Sequence, residues 1–266
     1  MHWLLCATAC ATHAAAANAT WCSPHNVDRH LAGGCVHSLR PALPRAAASH
    51  LSALLESAWR GNSFLYATNC LRTGDTRGGG HSCACGNTKR RMKPADASEA
   101  QAAALFCKNK RGFTYSKYEL DRQASAHASI AQAVHALLPG PLGALLDGPV
   151  SNLTDWFASA FERGGWLGQH SDLGLGHVAF VLNLTPDSNP FRGGDLEFAE
   201  GHKVAPRFNS LTAFRVGAGA HPLRHRVTTV DAPPGSPPRL ALTGWYTVPG
   251  GDPQAVSPSV LAAEKR

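Results

Sequence analysis

The chain has 266 residues, room for one sizeable domain with extensions, and its 44% hydrophobic content excludes a chain too polar to bury a core. A formal charge of +7 and a pI near 9.1 make the surface basic, which suits an acidic protein partner or nucleic acid. Much of the excess lies in 72–122, including Lys89-Arg90-Arg91 and Lys108-Asn109-Lys110-Arg111, without interleaved aromatics or a binding motif, so it reads as a solvated loop and not as a specific nucleic-acid surface.

Residues 1–20 read as a leader. The stretch 3–12 is apolar or small, and Ala14-Ala15-Ala16-Ala17-Asn18-Ala19 offers a small-residue cleavage site near Ala19, as a secretory signal would. A positive n-region is missing, and no acid precedes Asp28 while Arg29, Arg40 and Arg45 follow, so an organellar transit peptide is the alternative and a cytoplasmic protein the third reading. The apolar run is too short for a bilayer, and no later segment is expected to reach the ~20 residues of a spanning helix. Residues 21–45 read as a linker, 46–250 as one domain and 251–266 as a tail.

All eight cysteines fall in the first half: Cys6, Cys10, Cys22, Cys35, Cys70, Cys83, Cys85 and Cys107. Loss of the leader leaves an even set of six, which suits disulfides in the secretory pathway or outside the cell. The rival is a zinc site at His81-Ser82-Cys83-Ala84-Cys85, but no second ligand pair stands at zinc-finger spacing. Of three glycosylation-type tripeptides, Asn18-Ala19-Thr20, Asn152-Leu153-Thr154 and Asn183-Leu184-Thr185, the last sits in an apolar run and is accidental.

Residues 46–140 read as helical support. Leu51, Leu54, Leu55 and Ala58 repeat at helical spacing until Gly61-Asn62. The stretch 71–94 is rich in glycine, cysteine and charge and reads as a loop. Asp96-x-x-Glu99 and Ser116-x-x-Glu119 each look like a capping box. The second is expected to open a helix with Ile130, Val134, Leu137 and Leu138 as its apolar stripe, halted by Pro139-Gly140-Pro141.

From 150 to 250 the pattern changes to strands. The run 178–184 is almost wholly apolar, as for a buried strand, and 192–198 is a glycine turn feeding an alternating strand. Further strands are expected at 210–216, 225–230 and 238–246. In the last, Arg239 and Thr243 share one face and Leu240 and Leu242 the other. Short strands punctuated by glycine and proline make a sandwich or barrel, and a jelly roll is the form that encloses a ligand.

Within this region His170-Ser171-Asp172, if extended, turns an imidazole and a carboxylate to one side. His225 offers a third ligand at the head of an alternating run, with His221 in the preceding glycine-rich loop as its competitor. Two imidazoles and a carboxylate with open positions opposite form the ligand set of non-haem Fe(II) oxygenases, whereas a structural zinc site is closed by a fourth protein ligand. Paired carboxylates at Asp195 and Glu197 are more simply a turn entering a strand.

The order His-x-Asp, apolar strand, Gly-Gly-Asp-Leu, Phe-Asn-Ser-Leu, His-x-Val, then Arg-x-Ala-x-Thr-x-Trp resembles the 2-oxoglutarate and Fe(II)-dependent dioxygenases, most of all their prolyl 4-hydroxylase-like branch. It is most specific at 206–211 and 239–245. The resemblance implies a double-stranded β-helix with iron held by His170, Asp172 and His225. It implies further that Arg239 binds the distal carboxylate of 2-oxoglutarate, with Thr243 a helper. Fe(II), 2-oxoglutarate, O2 and ascorbate are then the cofactors. The implied reaction hydroxylates a C–H bond, of a prolyl residue in a protein or peptide, and yields succinate and CO2. Relatives often carry a tyrosine just before the His-x-Asp strand, where this chain has Phe157 or Phe161; losing that hydrogen bond unreplaced weakens co-substrate binding by about 1.5–3 kcal/mol. Two other classes use the same residues: a jelly-roll binding module that has lost catalysis, and a zinc hydrolase working through a metal-bound water. The second would leave Arg239 without a task.

Overall fold

The computed structural model describes residues 29–31, 34–68, 88–90, 113, 115–216 and 222–250. The leader, the expected helix from Asp96, the tail, His221 and every cysteine but Cys35 lie outside them.

The chain begins with a hairpin of β1 (Arg29–Leu31) and β2 (Gly34–Leu39), turning at Gly34 with φ 142°. Within the expected linker of 21–45, the described residues of 29–39 are thus strand: Cys35 and Val36 are buried, and Cys35 is disulfide-bonded. Helix α1 (Arg45–Arg60) buries Leu51, Leu55 and Ala58 and ends at Gly61, as its spacing predicts. Strand β3 (Phe64–Thr68) follows, and β4 (Thr88–Arg90) pairs with it, so part of the expected loop at 71–94 is strand.

Strand β5 (Tyr115–Leu120) stands where a helix is expected from Ser116. Its residues alternate between two walls: Ser116 and Leu120 are buried on one, while Tyr115, Lys117 and Glu119 line a cavity on the other. That two-residue period overrides the capping-box pattern. Helix α2 therefore starts later (Ser125–Leu137), with Ile130 and Val134 buried. That helix ends just before the prolines, as expected, but a second helix begins at once. Pro139 is the first residue of α3 (Pro139–Leu146), a position where its missing N–H has no helical partner to lose. Ser125–Leu146 together is long and apolar enough to cross a membrane by length and composition, contrary to the expectation from sequence. Its apolar residues Ile130, Val134, Leu138, Leu142 and Leu146 are buried in the core beneath the sheet, which accounts for that composition.

The second half supplies β6 (Leu153–Phe161), β7 (Trp166–His170), β8 (Val178–Asn183), β9 (Arg192–Gly193), β10 (Leu196–Phe198), β11 (Lys203–Val204), β12 (Ser210–Arg215), β13 (His225–Val227), β14 (Val230–Asp231) and β15 (Arg239–Tyr246). Hydrogen bonding links β1-β2-β12-β8-β15-β6-β5-β7-β13-β10-β11 in one curled sheet, with β3 and β4 off β5 and a separate β14-β9 ribbon. Strand β5 is the bridge: Tyr118 and Glu119 pair with β6, while Tyr115 and Ser116 pair with β7. This is a jelly roll, a double-stranded β-helix with few helices, as the punctuation of short strands predicts.

Strand β15 shows why the pocket lies inside. Leu240, Leu242 and Tyr246 join the cluster formed with α1, α2 and α3, while Ala241 and Trp245 belong to a second cluster with Val181 and Phe214. The helices thus cover one face of the sheet and leave the other to wrap a cavity.

Candidate active site

Strand β7 ends at His170, and Asp172 follows two residues on, so strand direction carries both side chains to one side. Strand β13 runs antiparallel to β7 with His225 directly opposite His170. Residues so paired approach closely, which makes a shared ligand site possible from strands far apart in sequence. The outcome is a cluster in which one ligand atom each of His170, Asp172 and His225 lies within 4.8 Å of the others. His170 Nε2 is 3.4 Å from Asp172 Oδ1, and His225 Nε2 is 3.5 Å from Asp172 Oδ2.

The imidazoles are oriented from behind. His170 Nδ1–H donates to the Gly168 carbonyl at 2.9 Å and His225 Nδ1–H to that of Leu223 at 3.2 Å, which turns both Nε2 lone pairs inward. Burial pushes the His225 pKa down to about 4, so that ring is neutral and able to coordinate. Burial alone would raise Asp172, but the neighbouring His225 and His170 outweigh it and hold the carboxyl well below its usual range. Phe113 stacks on the His170 ring, centroid to centroid 4.6 Å, and shields it.

The same cavity, of ≈330 Å³, is lined by Arg239 and Thr243 as well as by the three clustered residues. Arg239 is 2% exposed. Its Nη2 donates to Asn183 Oδ1 at 3.0 Å, its Cζ lies 5.2 Å from the Phe161 ring centroid, and its Nε has no partner among the described residues. Burial draws its pKa down to about 10, with Asp195 acting the other way. A buried guanidinium without an ion pair is costly. The cost is offset by an anion entering the cavity, and a planar fork of donors fits a carboxylate.

The Gly193-Gly194 turn serves this arginine. Gly194 has φ 67°, and a Cβ there would come 2.7 Å from Arg239 Cδ, so only glycine lets β10 close over the side chain.

Other residues singled out from sequence fall elsewhere. Glu197 is tied to Arg226 at 3.1 Å and Lys203 at 3.3 Å, and is no partner of Asp195 in acid and base work. His127 stacks on Trp156, and His177 accepts from the Val248 amide. Phe157 and Phe161 both line the cavity. Sequence reading missed Asn183, seen only as a glycosylation match, and the cavity residues Lys117 and Glu119, hidden in an expected helix.

The double-stranded β-helix encloses two inward imidazoles, a carboxylate and a buried guanidinium with no ion pair among the described residues, a donor set that suits non-haem Fe(II). Residues 156–247 match the family model of the 2OG-Fe(II) oxygenase superfamily. Among solved structures the chain is similar to a Pseudomonas putida prolyl-4-hydroxylase, at 20% identity and TM-score 0.44 over 79% of this chain and 91% of that one. It is also similar to a 2OG-Fe(II) oxygenase-family oxidoreductase of Burkholderia pseudomallei, at 15% and 0.39 over 55% and 73%. A collagen prolyl hydroxylase of Paramecium Bursaria Chlorella virus-1 follows, at 12% and 0.33 over 50% and 77%. No curated protein matches the chain.

Proposed function

We propose that this chain is a 2-oxoglutarate-dependent oxygenase that hydroxylates a C–H bond of a protein or peptide, a prolyl residue being the favoured target. The observation that carries the reading is Arg239, a buried guanidinium whose Nε has no partner among the described residues, in the cavity lined by His170, Asp172 and His225. A zinc hydrolase gives that arginine nothing to hold.

The donor set fits the expected group: two imidazoles and one carboxylate suit a divalent iron and leave positions free. When bound, ferrous iron with 2-oxoglutarate and O2 supplies the oxidant, one oxygen atom going to succinate as CO2 leaves and the other to the substrate C–H bond. His170, Asp172 and His225 hold the metal. Arg239 grips the distal carboxylate, steadied by Asn183, with Thr243 beside it on the same face. Phe113, Phe157, Phe161 and Leu175 wall off water, which strengthens every charged contact within. The prolyl target rests on the sequence resemblance to the prolyl 4-hydroxylase-like branch. Ascorbate, in this reading, keeps the metal ferrous. The disulfide at Cys35 supports a secretory-pathway location.

The test is oxygen-dependent succinate formation by protein reconstituted with Fe(II) and 2-oxoglutarate. The wild type is expected to form succinate, and the His170→Ala, Asp172→Ala and His225→Ala variants to form none above background. Succinate at wild-type rates from any of the three contradicts the assignment.

A further inference from the structure

The cavity wall contains a second charged pair to which the proposed reaction gives no task. Lys117, 6% exposed, places its Nζ 3.0 Å from Glu119 Oε1, and the same Nζ lies 3.9 Å from the Phe157 ring centroid. Both residues line the cavity shared by His170, Asp172, His225 and Arg239. An ion pair this buried adds little stability over apolar residues of equal size, so stability does not account for it.

Charge decides what the pair is for. A dication beside Asp172 and a dianion beside Arg239 leave the cavity neutral with no help from Lys117 or Glu119. Those two balance each other. They therefore offer a donor and an acceptor side by side to a group that is itself uncharged and has both, and a peptide amide is such a group. Pairing with Glu119 engages one of the three ammonium donors and leaves the others to reach a carbonyl.

A second cavity adjoins the first. A side chamber of ≈180 Å³ shares Glu119, Phe157, Leu175 and Trp245 with the main cavity and is bounded by Arg122, His127, Asp155 and Trp156. Arg122 and Asp155 pair at 2.8 Å, so this chamber is charge-balanced too, and its floor is the stacked His127 and Trp156. A free amino acid needs no such extension. A chain with a residue on either side of the oxidised one does.

We infer that Lys117 and Glu119 are the substrate-reading element of this site: they hold a backbone amide next to the oxidised residue of a polypeptide, whose flanking residue enters the side chamber. The inference rests on the oxygenase reading above and names its substrate contact.

The experiment uses full-length protein with Fe(II) and 2-oxoglutarate. The probes are N-acetyl-prolyl-glycine methylamide and free L-proline, and the readout is probe-stimulated succinate formation. A separate readout is the 2-oxoglutarate Kd, taken from the anaerobic charge-transfer band. The blocked peptide is expected to stimulate the wild type, and Lys117→Met and Glu119→Gln to lose at least tenfold of that stimulation with the Kd within twofold of wild type. The charge-swapped K117E/E119K protein is expected to recover part of the loss. A fivefold rise in the Kd of Lys117→Met overturns the inference by giving the lysine to the co-substrate. Stronger stimulation by free L-proline overturns it in favour of an amino-acid substrate. So does undiminished stimulation in both single variants, or none in a wild type that shows the band. If the band itself is missing, the oxygenase reading fails and takes this inference with it.

Discussion

Asn183 Oδ1 accepts a hydrogen bond from Arg239 Nη2 at 3.0 Å, and this contact between adjacent strands sets the attitude of the buried guanidinium. Replacing Asn183 by leucine leaves another guanidinium N–H without a partner, at a cost of about 1–3 kcal/mol. The expected result is a roughly 5- to 150-fold rise in the 2-oxoglutarate Kd by isothermal titration, on the scale of about 1.4 kcal/mol per tenfold. Asn183→Asp goes further. Its carboxylate would pair with Arg239 and compete with the incoming diacid, so binding weakens and its salt dependence falls.

Arg239 itself is expected to act on one ligand only. Arg239→Gln keeps a polar side chain but removes the charge, which forfeits about 1.5–3 kcal/mol of a charge-assisted hydrogen bond. The 2-oxoglutarate Kd rises at least tenfold while Fe(II) binding, followed by competition with a chelator, stays near wild type. Loss of iron affinity in this variant would show that the arginine supports the metal cluster instead.

Gly194 tests the close approach of backbone to that same side chain. Alanine there meets Arg239 Cδ at 2.7 Å and must also hold φ near 67°, which costs about 1–2 kcal/mol per residue in the left-handed region. The Tm is expected to fall and the 2-oxoglutarate Kd to rise together. A variant with unchanged Tm and Kd would mean that the turn has room to spare.

Leu242 lies on the same strand as Arg239 but on the opposite face, fully buried against the helices. Leu242→Ala is expected to destabilise the fold by about 2–5 kcal/mol in urea unfolding while the 2-oxoglutarate Kd of the folded protein holds. This separates the face that builds the core from the face that builds the site.

What could be read from the sequence follows from these two faces. The strands at 178–184 and 238–246 have a continuous or clean two-residue pattern, so their faces, and with them Arg239, Thr243, Leu240 and Leu242, were legible. The meeting of His170 and Asp172 was legible for a local reason, since the two need only one short segment to converge. Strand β5 was not, because its inward residues are Lys117 and Glu119. A wall that faces a polar cavity breaks the apolar-inside rule that makes strands visible. Asn183 was hidden by its own tripeptide, since only the fold shows that it meets an arginine 56 positions away. The hairpin at 29–39 is too short to stand out from a linker.

The central claim is that His170, Asp172 and His225 hold a ferrous ion to which a keto diacid, gripped by Arg239, adds. The most direct measurement is an anaerobic titration of the wild-type protein with Fe(II) and 2-oxoglutarate, read as visible absorbance. A metal-to-ligand charge-transfer band saturating at one iron per chain is expected, absent in His225→Ala and retained in His221→Ala. A folded wild type without the band, or a band that survives in His225→Ala and vanishes in His221→Ala, would contradict the account.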